Sequence, residues 1–330
     1  MRLFSVKRNE HIPAVFHIDF TEFATKMSAE KKEVSKSEAG YYFLLELASA
    51  FVLSAAHNVL FFVLDIKLIA TSFAQFFFTF IFLKLIHFAN YIPQAHIPKK
   101  ILLPAAGAKL LEVLIASLAN SHNRTGELFL VRSFDFLFAG CILFYYSTRQ
   151  NGKGLTKTDC WMIAPLAIAV SIAWLEPGQM EYTGVSLMSA FLLPISRALS
   201  FILLKNSMDC LGKGHINAFM LEYTRFVTIL LFLPALVSYL LSSVEVTASW
   251  ESIDYVLMSL SFIFMICNLY SHLWLTLSLS PSVYLVLENS RNLLASCAQW
   301  IIQNMAHPSL IAFGGKIVGF AAIFRIWTRS

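Results

Sequence analysis

Long runs of apolar residues, separated by short polar stretches, fill this sequence from residue 41 onward. A helix needs about 20 apolar residues to cross the hydrocarbon core of a bilayer, which is roughly 30 Å thick. Windows of about 19 residues find ten such runs. We number these predicted segments 1 to 10: 41–64, 68–90, 101–120, 127–147, 159–176, 183–205, 216–241, 254–278, 281–304 and 308–327. Runs such as FAQFFFTFIFLKLI do not alternate apolar and polar residues, so the pattern predicts an all-α membrane protein and not a β-barrel.

The first 40 residues differ from the rest because they are polar, mixed in sign and without an apolar core. A cleaved secretory signal needs an apolar region, and organellar transit peptides contain few acids. We therefore expect residues 1–40 to be a cytosolic tail, followed by segment 1 as the membrane-entry signal. Residues 41–327 form the predicted ten-helix domain, and residues 328–330 form a short cytosolic end.

Composition narrows the function classes further. Of the 330 residues 57% are apolar and only 14% are charged, which no ordinary water-soluble domain shows. The chain contains no HExxH, GxSxG or Walker pattern, and its five cysteines show no metal-ligand or disulfide spacing. We expect no enzyme activity, no cofactor or metal, and no nucleic-acid partner; the lipid bilayer is the first partner implied.

Lysine and arginine are distributed unequally between the two sides of the ten-segment arrangement. Sixteen lie in the N-terminal tail, the C-terminal end or loops on the same side, whereas only Lys67 and Arg124 lie in loops on the other. Cytosolic loops of membrane proteins keep an excess of these residues. Both termini are therefore predicted to be cytosolic. The sequon at Asn123 then faces the other side.

Seven cations and five acids fall within the predicted segments themselves. A charge at mid-bilayer costs roughly 2.5 to 3.5 kcal/mol, so each of these side chains needs a partner or a function. Four pairs have members three residues apart, which places them on one helix face. The pairs are Lys109 with Glu112, Arg132 with Asp135, Glu222 with Arg225, and Glu288 with Arg291. They either lock helix packing or line a shared cavity formed by segments 3, 4, 7 and 9.

Two intramembrane cations, Arg197 in segment 6 and Lys316 in segment 10, have no acid three or four residues away. A ligand could complete each of them, or an acid on a neighbouring helix could. The excess of cations over acids within the segments favours an anionic ligand, although Lys84 is expected to snorkel to the cytosolic surface. His272 in segment 8 could face the cavity, but we expect a satisfied buried histidine.

Segments 4 and 9 share one further feature. They contain VRSFDF and LENSRN, in which an acid and a base stand three residues apart in opposite order. A 5+5 inverted repeat would produce this relation between the fourth and ninth segments. We therefore expect two halves, residues 41–176 and 183–327, with a site between them.

Four stretches resemble a single known family. VRSFDFLF is similar to the family's IKALEPFF, with Arg132 at the lysine, Asp135 at the glutamate and the proline replaced by Phe136. Residues 163–208 look like the family's fifth and sixth helices, which end in a serine-lysine-lysine stretch. Lys205 falls on the first of those lysines.

The other two stretches lie in segments 9 and 10. SPSVYLVLENSRNLL resembles SPVTHSVGNxxKR, with Arg291 and Asn292 at the positions of a phosphate-gripping basic dyad. PSLIAFGGKIVGFAAIF looks like the family's tenth helix, where close helix contact favours glycine. The family is that of the triose-phosphate and nucleotide-sugar translocators of the drug/metabolite transporter superfamily.

The departures from the family pattern concern the substrate. Asn292 replaces the second cation of the dyad, and Ser200 stands in the arginine column of the sixth helix, with Arg197 one turn earlier. Asn268 stands where phosphate-translocating members have a tyrosine, with Tyr270 nearby. The resemblance implies the fold and leaves the substrate open.

The resemblance implies a secondary transporter, an antiporter that moves a phosphorylated sugar or nucleotide-sugar across the Golgi or another endomembrane by alternating access. Phosphate or a nucleoside monophosphate would be the counter-substrate, and the protein could form a homodimer. The expected substrate-binding residues are Arg291, Asn292, Arg197, Lys205, Arg132, Lys316 and Asn268. The expected supporting ion pairs involve Glu288, Asp135, Glu222, Arg225, Lys109 and Glu112. Two alternatives remain: a transporter of an uncharged or cationic metabolite, and a non-transporting receptor or assembly protein.

Overall fold

Helices make up the part of the chain that the computed structural model describes, which comprises residues 36–60, 67–92, 97–122, 128–149, 157–174, 183–211, 213–241, 251–303 and 309–327. The α-helices are α1 (Lys36–Asn58), α2 (Leu68–Phe88), α3 (Lys99–His122), α4 (Leu128–Ser133), α5 (Asp135–Arg149), α6 (Lys157–Ala173), α7 (Gly184–Leu211), α8 (Ile216–Leu241), α9 (Ser252–Ser278), α10 (Pro281–Gln303) and α11 (Leu310–Trp327). No strand occurs in these ranges. Most of the predicted tail, the C-terminal residues 328–330 and the sequon at Asn123 lie outside them.

Six of these helices are long and apolar enough to cross a membrane: α1, α2, α3, α7, α8 and α9. A shorter apolar helix within α6 spans Ile163–Ala173. The chain is therefore a multi-pass, all-α membrane protein. The full count of ten crossings and the cytosolic position of both termini stay predictions. Helices suit this environment because they satisfy their own backbone hydrogen bonds where no water is present.

Segment 4 is not the single helix that we expected over residues 127–147. Helix α4 ends at Ser133 and α5 begins at Asp135, with a turn at Phe134 between them. The Leu137 amide donates to the Phe134 carbonyl over 2.9 Å, an i to i+3 bond that tightens the chain at the junction. The break places Arg132 at the C-terminal end of α4 and Asp135 at the N-terminal end of α5, where the helix dipoles favour a cation and an anion respectively.

Each of the four most extensive helix contacts in the described bundle joins a helix from the first half of the chain to one from the second half. Helix α3 packs on α7, α9 on α1, α6 on α11, and α2 on α8. The contact between α6 and α11 is close at Gly315, where an added Cβ would lie 2.6 Å from the Ala173 backbone nitrogen. Glycine is therefore required at this crossing, as in other tightly packed membrane helices.

A large apolar cluster closes one end of the bundle. It joins the start of α1, α3 and α10 to the last turns of α5, α7 and α9. Aromatic contacts are prominent, with ring centroids 4.3 Å apart for Tyr42 and Trp274 and 3.8 Å apart for Phe201 and Tyr284. We call this region the closed end. The interior cavity extends from it toward the opposite ends of the helices, reaching His57 at the end of α1 and Asn120 near the end of α3.

Candidate functional site

The cavity has a volume of about 380 Å³ and lies among α1, α2, α3, α7, α9 and α10. This volume lies within the range of roughly 300 to 1,000 Å³ that is usual for small-molecule sites. Its wall contains the four cations Lys109, Arg132, Arg197 and Arg291, together with the acids Glu112 and Glu288. Ionisable residues inside a membrane bundle are costly and usually mark a functional pathway. The sequence-predicted charges of segments 3, 4, 6 and 9 therefore do meet at one place.

One group of these charges surrounds Asp135, the first residue of α5. Its Oδ2 accepts hydrogen bonds from Arg132 Nη1 over 3.3 Å and from Asn292 Nδ2 over 3.2 Å. Its Oδ1 lies 3.4 Å from Arg197 Nη1. Arg132 Nη1 also donates to Asn292 Oδ1 over 3.0 Å, and its guanidinium lies 5.0 Å from the Trp174 ring centroid. This Asp135 network joins the α4–α5 break to α7 and α10.

The Asp135 network decides between the alternatives for Arg197. The sequence left its partner open between a ligand and an acid on a neighbouring helix, and the structure provides Asp135. Asn292 serves both Arg132 and Asp135, which uses its amide oxygen and nitrogen together. Asn292 on α10 thus links to both α4 and α5, and it also lies on the cavity wall.

A second group surrounds Glu46 on α1, a residue absent from our sequence-predicted site. The Glu46 side chain is fully buried, and its Oε1 lies 3.4 Å from Arg291 Nε and 3.5 Å from His272 Nδ1. The Ser271 hydroxyl donates to Glu46 Oε2. Arg291 also binds Glu288 on its own helix, with Nη1 and Oε2 3.0 Å apart. Arg291 therefore lies between two carboxylates in what we call the Glu46 network.

The sequence contained a signal for Glu46 that spacing arguments passed over. It is the intramembrane acid with no cation three or four residues away, so its partner had to come from another helix. His272 was expected to be a satisfied buried histidine. Instead it lies on the cavity wall, and its Nδ1 faces Glu46 without an aligned hydrogen bond among the described residues.

Two other predicted features also lie on the wall. Lys109 Nζ binds Glu112 Oε1 over 2.9 Å, as the three-residue spacing predicted. Asn268 is buried and donates from Nδ2 to the Ser49 hydroxyl over 3.1 Å, which ties α9 to α1. Lys109, Glu112 and Asn268 all line the cavity, so these contacts leave each of them within reach of a ligand.

Lys205 and Lys316 contact the C-terminal ends of neighbouring helices and do not line the cavity. Lys205 Nζ donates to the Thr276 carbonyl over 2.7 Å and lies 3.2 Å from Asp209 Oδ1. Lys316 Nζ donates to the Ala173 carbonyl over 2.9 Å. The last four carbonyls of a helix have no partner within it, and a cation is favoured there by the helix dipole. The structure therefore corrects their expected position: both lysines cap helices, α9 and α6 respectively.

The Glu222–Arg225 pair also lies away from the cavity. Its members are 3.4 Å apart, and 54% of the Arg225 side chain is exposed. We expected this polar face of segment 7 to point inward with those of segments 3, 4 and 9. The residue of α8 that reaches the wall is Tyr223, between the two charges.

Comparison with known proteins adds the fold alone. No known family profile matches this sequence, and no curated protein matches it. A solved crystal structure of a protein is similar over 89% of this chain and 99% of its own, with a TM-score of 0.65 and 14% sequence identity. Such a low identity shows a shared fold and carries no information on activity. The fold and the site together define a multi-pass membrane protein with a charged interior cavity.

Proposed function

We propose that this protein is a secondary transporter that moves a small metabolite with an anionic group, such as a sugar phosphate or nucleotide-sugar, by alternating access. Membership in the triose-phosphate and nucleotide-sugar translocator family, an endomembrane such as the Golgi, and exchange for phosphate or a nucleoside monophosphate are parts of this proposal. The observation that carries it is the cavity, in which four cations meet inside a bundle of membrane helices.

The helix contacts support the 5+5 inverted repeat. A twofold axis that relates segments 1–5 to segments 6–10 would make the contact between α3 and α7 equivalent to the contact between α9 and α1. The α2–α8 and α6–α11 contacts each join corresponding segments, so the axis would pass through both. These contacts are the most extensive in the described bundle. Transporters built in this way bind substrate where the two halves meet and move one half against the other.

The unequal ends of the bundle support alternating access. At the closed end, stacking between Phe201 and Tyr284 joins α7 to α10, and Tyr42 packs on Trp274. The cavity wall begins at Phe201 and Tyr284 and continues toward His57 and Asn120. Alternating access requires a state in which the helices are packed together on one side of the site.

Arg291 is the residue best suited to meet the substrate anion. A guanidinium stays ionised and donates two parallel hydrogen bonds to a phosphate or carboxylate. Its contact with Glu46 is loose, because Nε at 3.4 Å makes no aligned hydrogen bond in the described structure. A substrate anion would therefore compete with Glu46 for Arg291 without having to break an aligned hydrogen bond between them.

The structure revises the charge argument from the sequence. Lys84, Lys316 and the Glu222–Arg225 pair are not on the wall, so the two networks and the Lys109–Glu112 pair contain four cations and four acids. A neutral empty site favours a second candidate, a transporter of an uncharged metabolite. In the anion transporter, the substrate must displace the Glu46 carboxylate from Arg291. Such competition agrees with exchange, in which one anion leaves as another binds.

Exchange in proteoliposomes tests the proposal. Purified protein would be loaded with phosphate and nucleoside monophosphates, then offered labelled sugar phosphates, nucleotide-sugars and free sugars. We expect uptake of a phosphorylated compound, and a loss of at least tenfold in Arg291→Lys, which keeps the charge but not the planar fork. Arg225→Lys, at the exposed pair, is the matched control and should transport normally. Uptake of free sugars with both variants at the wild-type rate would establish the second candidate; no uptake by folded protein would support a receptor.

A further inference from the structure

Glu46 is a buried acid that substrate binding, as proposed above, does not itself use. It is fully buried, and the groups that face it come from the two helices that pack most closely on α1. His272 lies on α9, and on α10 Arg291 contacts it directly, with Glu288 and Tyr284 close behind. A carboxylate buried in a membrane protein and held by imperfect contacts marks a proton or ion pathway.

The contacts of Ser271 suit both protonation states of Glu46. A hydroxyl group donates one hydrogen bond and accepts others. With Glu46 ionised, Ser271 donates to Glu46 Oε2. With Glu46 protonated at Oε2, the carboxyl group donates to Ser271 Oγ, and the Ser271 hydrogen turns to the Cys267 carbonyl, 2.9 Å away. Both protonation states of Glu46 therefore keep a hydrogen bond to Ser271 without movement of any heavy atom.

Protonation of Glu46 also changes the balance of charge around Arg291. With Glu46 ionised, the four cations of the site face four acids, and Arg291 is shared by Glu46 and Glu288. With Glu46 neutral, three acids remain, and Arg291 Nε loses its charged partner. The site then has an excess positive charge that an anion can neutralise.

We infer that Glu46 is a proton-binding site that couples proton binding to substrate binding: a proton from cavity water neutralises Glu46 and releases Arg291 to the substrate anion. This inference rests on the proposed transport of an anion. The bond formed is O–H at Glu46 Oε2, and the bond replaced is the ion pair between Glu46 Oε1 and Arg291 Nε. His272, on the cavity wall with Nδ1 3.5 Å from Oε1, lies between the cavity and the carboxyl group.

The sign of the coupling follows from linkage. A ligand that binds the protonated site more tightly must itself promote proton binding by the same factor. Anion affinity should therefore rise as pH falls, by up to about tenfold per pH unit for one coupled proton. The proton and the anion would cross the membrane together. In exchange for a counter-substrate that returns without a proton, an imposed pH gradient would drive anion uptake from the acidic side.

Infrared difference spectroscopy on the reconstituted full-length protein tests the proton site without a known substrate. Lowering the pH should produce the carbonyl-stretch band of a protonated carboxylic acid, and this band should be missing in Glu46→Gln. Glu222→Gln, at the exposed pair outside the cavity, should keep it. Ser271→Ala, which removes the hydrogen-bond acceptor, should shift the band to higher frequency. Absence of any band that depends on Glu46 at every pH at which the protein stays folded would overturn the proton site.

The coupling itself is tested by titrating the protein with glucose 6-phosphate and inorganic phosphate in buffers of different ionisation enthalpy. We expect wild type to take up about one proton more per anion bound than Glu46→Gln does, because this difference removes the contribution from titration of the phosphate group itself. Equal proton uptake by wild type and Glu46→Gln would overturn the coupling alone. Failure of all anions to bind at any pH would overturn the proposed function and the coupling, while the infrared band would still show whether Glu46 binds protons.

Discussion

The Asp135 network and the Glu46 network contain the same kinds of residues but differ in their hydrogen bonding. In each, an acid from the first half of the chain meets an arginine and a second polar group from the second half. Around Asp135 both carboxylate oxygens receive charged donors, and Asn292 adds a further hydrogen bond. Around Glu46, Oε1 has two nitrogen atoms within 3.5 Å but no aligned hydrogen bond in the described structure.

This difference separates charges that fix the fold from charges that remain available to a ligand. Arg132 and Arg197 each donate a hydrogen bond to Asp135, and these bonds must be replaced if either arginine moves in a medium of low dielectric constant. Arg291 gives up no aligned hydrogen bond when it leaves Glu46. Arg291, which belongs to the looser network, is therefore the better candidate for substrate contact than Arg132 or Arg197.

The largest expected effect comes from Asp135→Asn. This change leaves Arg132 and Arg197 without their shared carboxylate, and breaking a buried ion pair by removing one member costs about 3 to 5 kcal/mol. We expect low yield of monodisperse protein and a marked fall in the thermal unfolding midpoint in detergent. Wild-type stability of this variant would show that the Asp135 network is not what joins the halves of the bundle.

Asn292→Leu is expected to have an intermediate effect. The side chain is of similar size, but Arg132 loses an acceptor and Asp135 loses a donor. Unpaired buried polar groups cost about 1 to 3 kcal/mol. The unfolding midpoint should fall less than in Asp135→Asn, and the double variant should fall by less than the sum of the two. Strict additivity would mean that Asn292 acts outside the network.

Much of the fold followed from the sequence because lipid imposes strong constraints on a chain. Apolar runs of about 20 residues can only be helices in a bilayer, so ten segments were located and six helices meet the length and hydropathy required. The break at Phe134 was missed because VRSFDF contains neither glycine nor proline. Arg132 and Asp135, on either side of the break, contact Arg197 and Asn292 on other helices, and periodicity does not report such contacts.

The ion pairs on the cavity wall were predicted where the partners were close in sequence and missed where they were distant. Lys109–Glu112 and Glu288–Arg291 followed from a spacing of three residues. The partner of Arg197 lies 62 positions away along the chain, and the partners of Glu46 lie more than 200 positions away. Only the packing of the two halves brings these residues together. The lysines at positions 205 and 316 were assigned to a ligand because their carbonyl partners belong to the backbone, which side-chain patterns do not show.

Glu46→Gln should change stability by only about 1 kcal/mol or less, although Glu46 is more deeply buried than Asp135. Arg291 keeps Glu288, and the amide can still accept from Ser271, so no charge is left without a partner. Comparing unfolding midpoints of Glu46→Gln and Asp135→Asn in one detergent measures the contrast directly. Equal destabilisation of the two variants would mean that both networks are structural.

The smallest expected effect comes from Glu222→Gln, and it sets the scale for the others. Glu222 faces Arg225 across 3.4 Å, with more than half of the Arg225 side chain exposed. Ion pairs exposed to water contribute about 0 to 1 kcal/mol. Glu222 lies within two turns of the start of α8, from which long charged side chains can extend to the hydrated membrane surface. The unfolding midpoint should therefore stay close to that of wild type, and so should transport. A large loss would place this pair at a contact with lipid headgroups or a second copy of the chain, where its exposed surface is covered.

Because the Glu222–Arg225 and Glu288–Arg291 pairs have the same spacing, their different responses would show that burial, and not sequence spacing, determines what an intramembrane pair does.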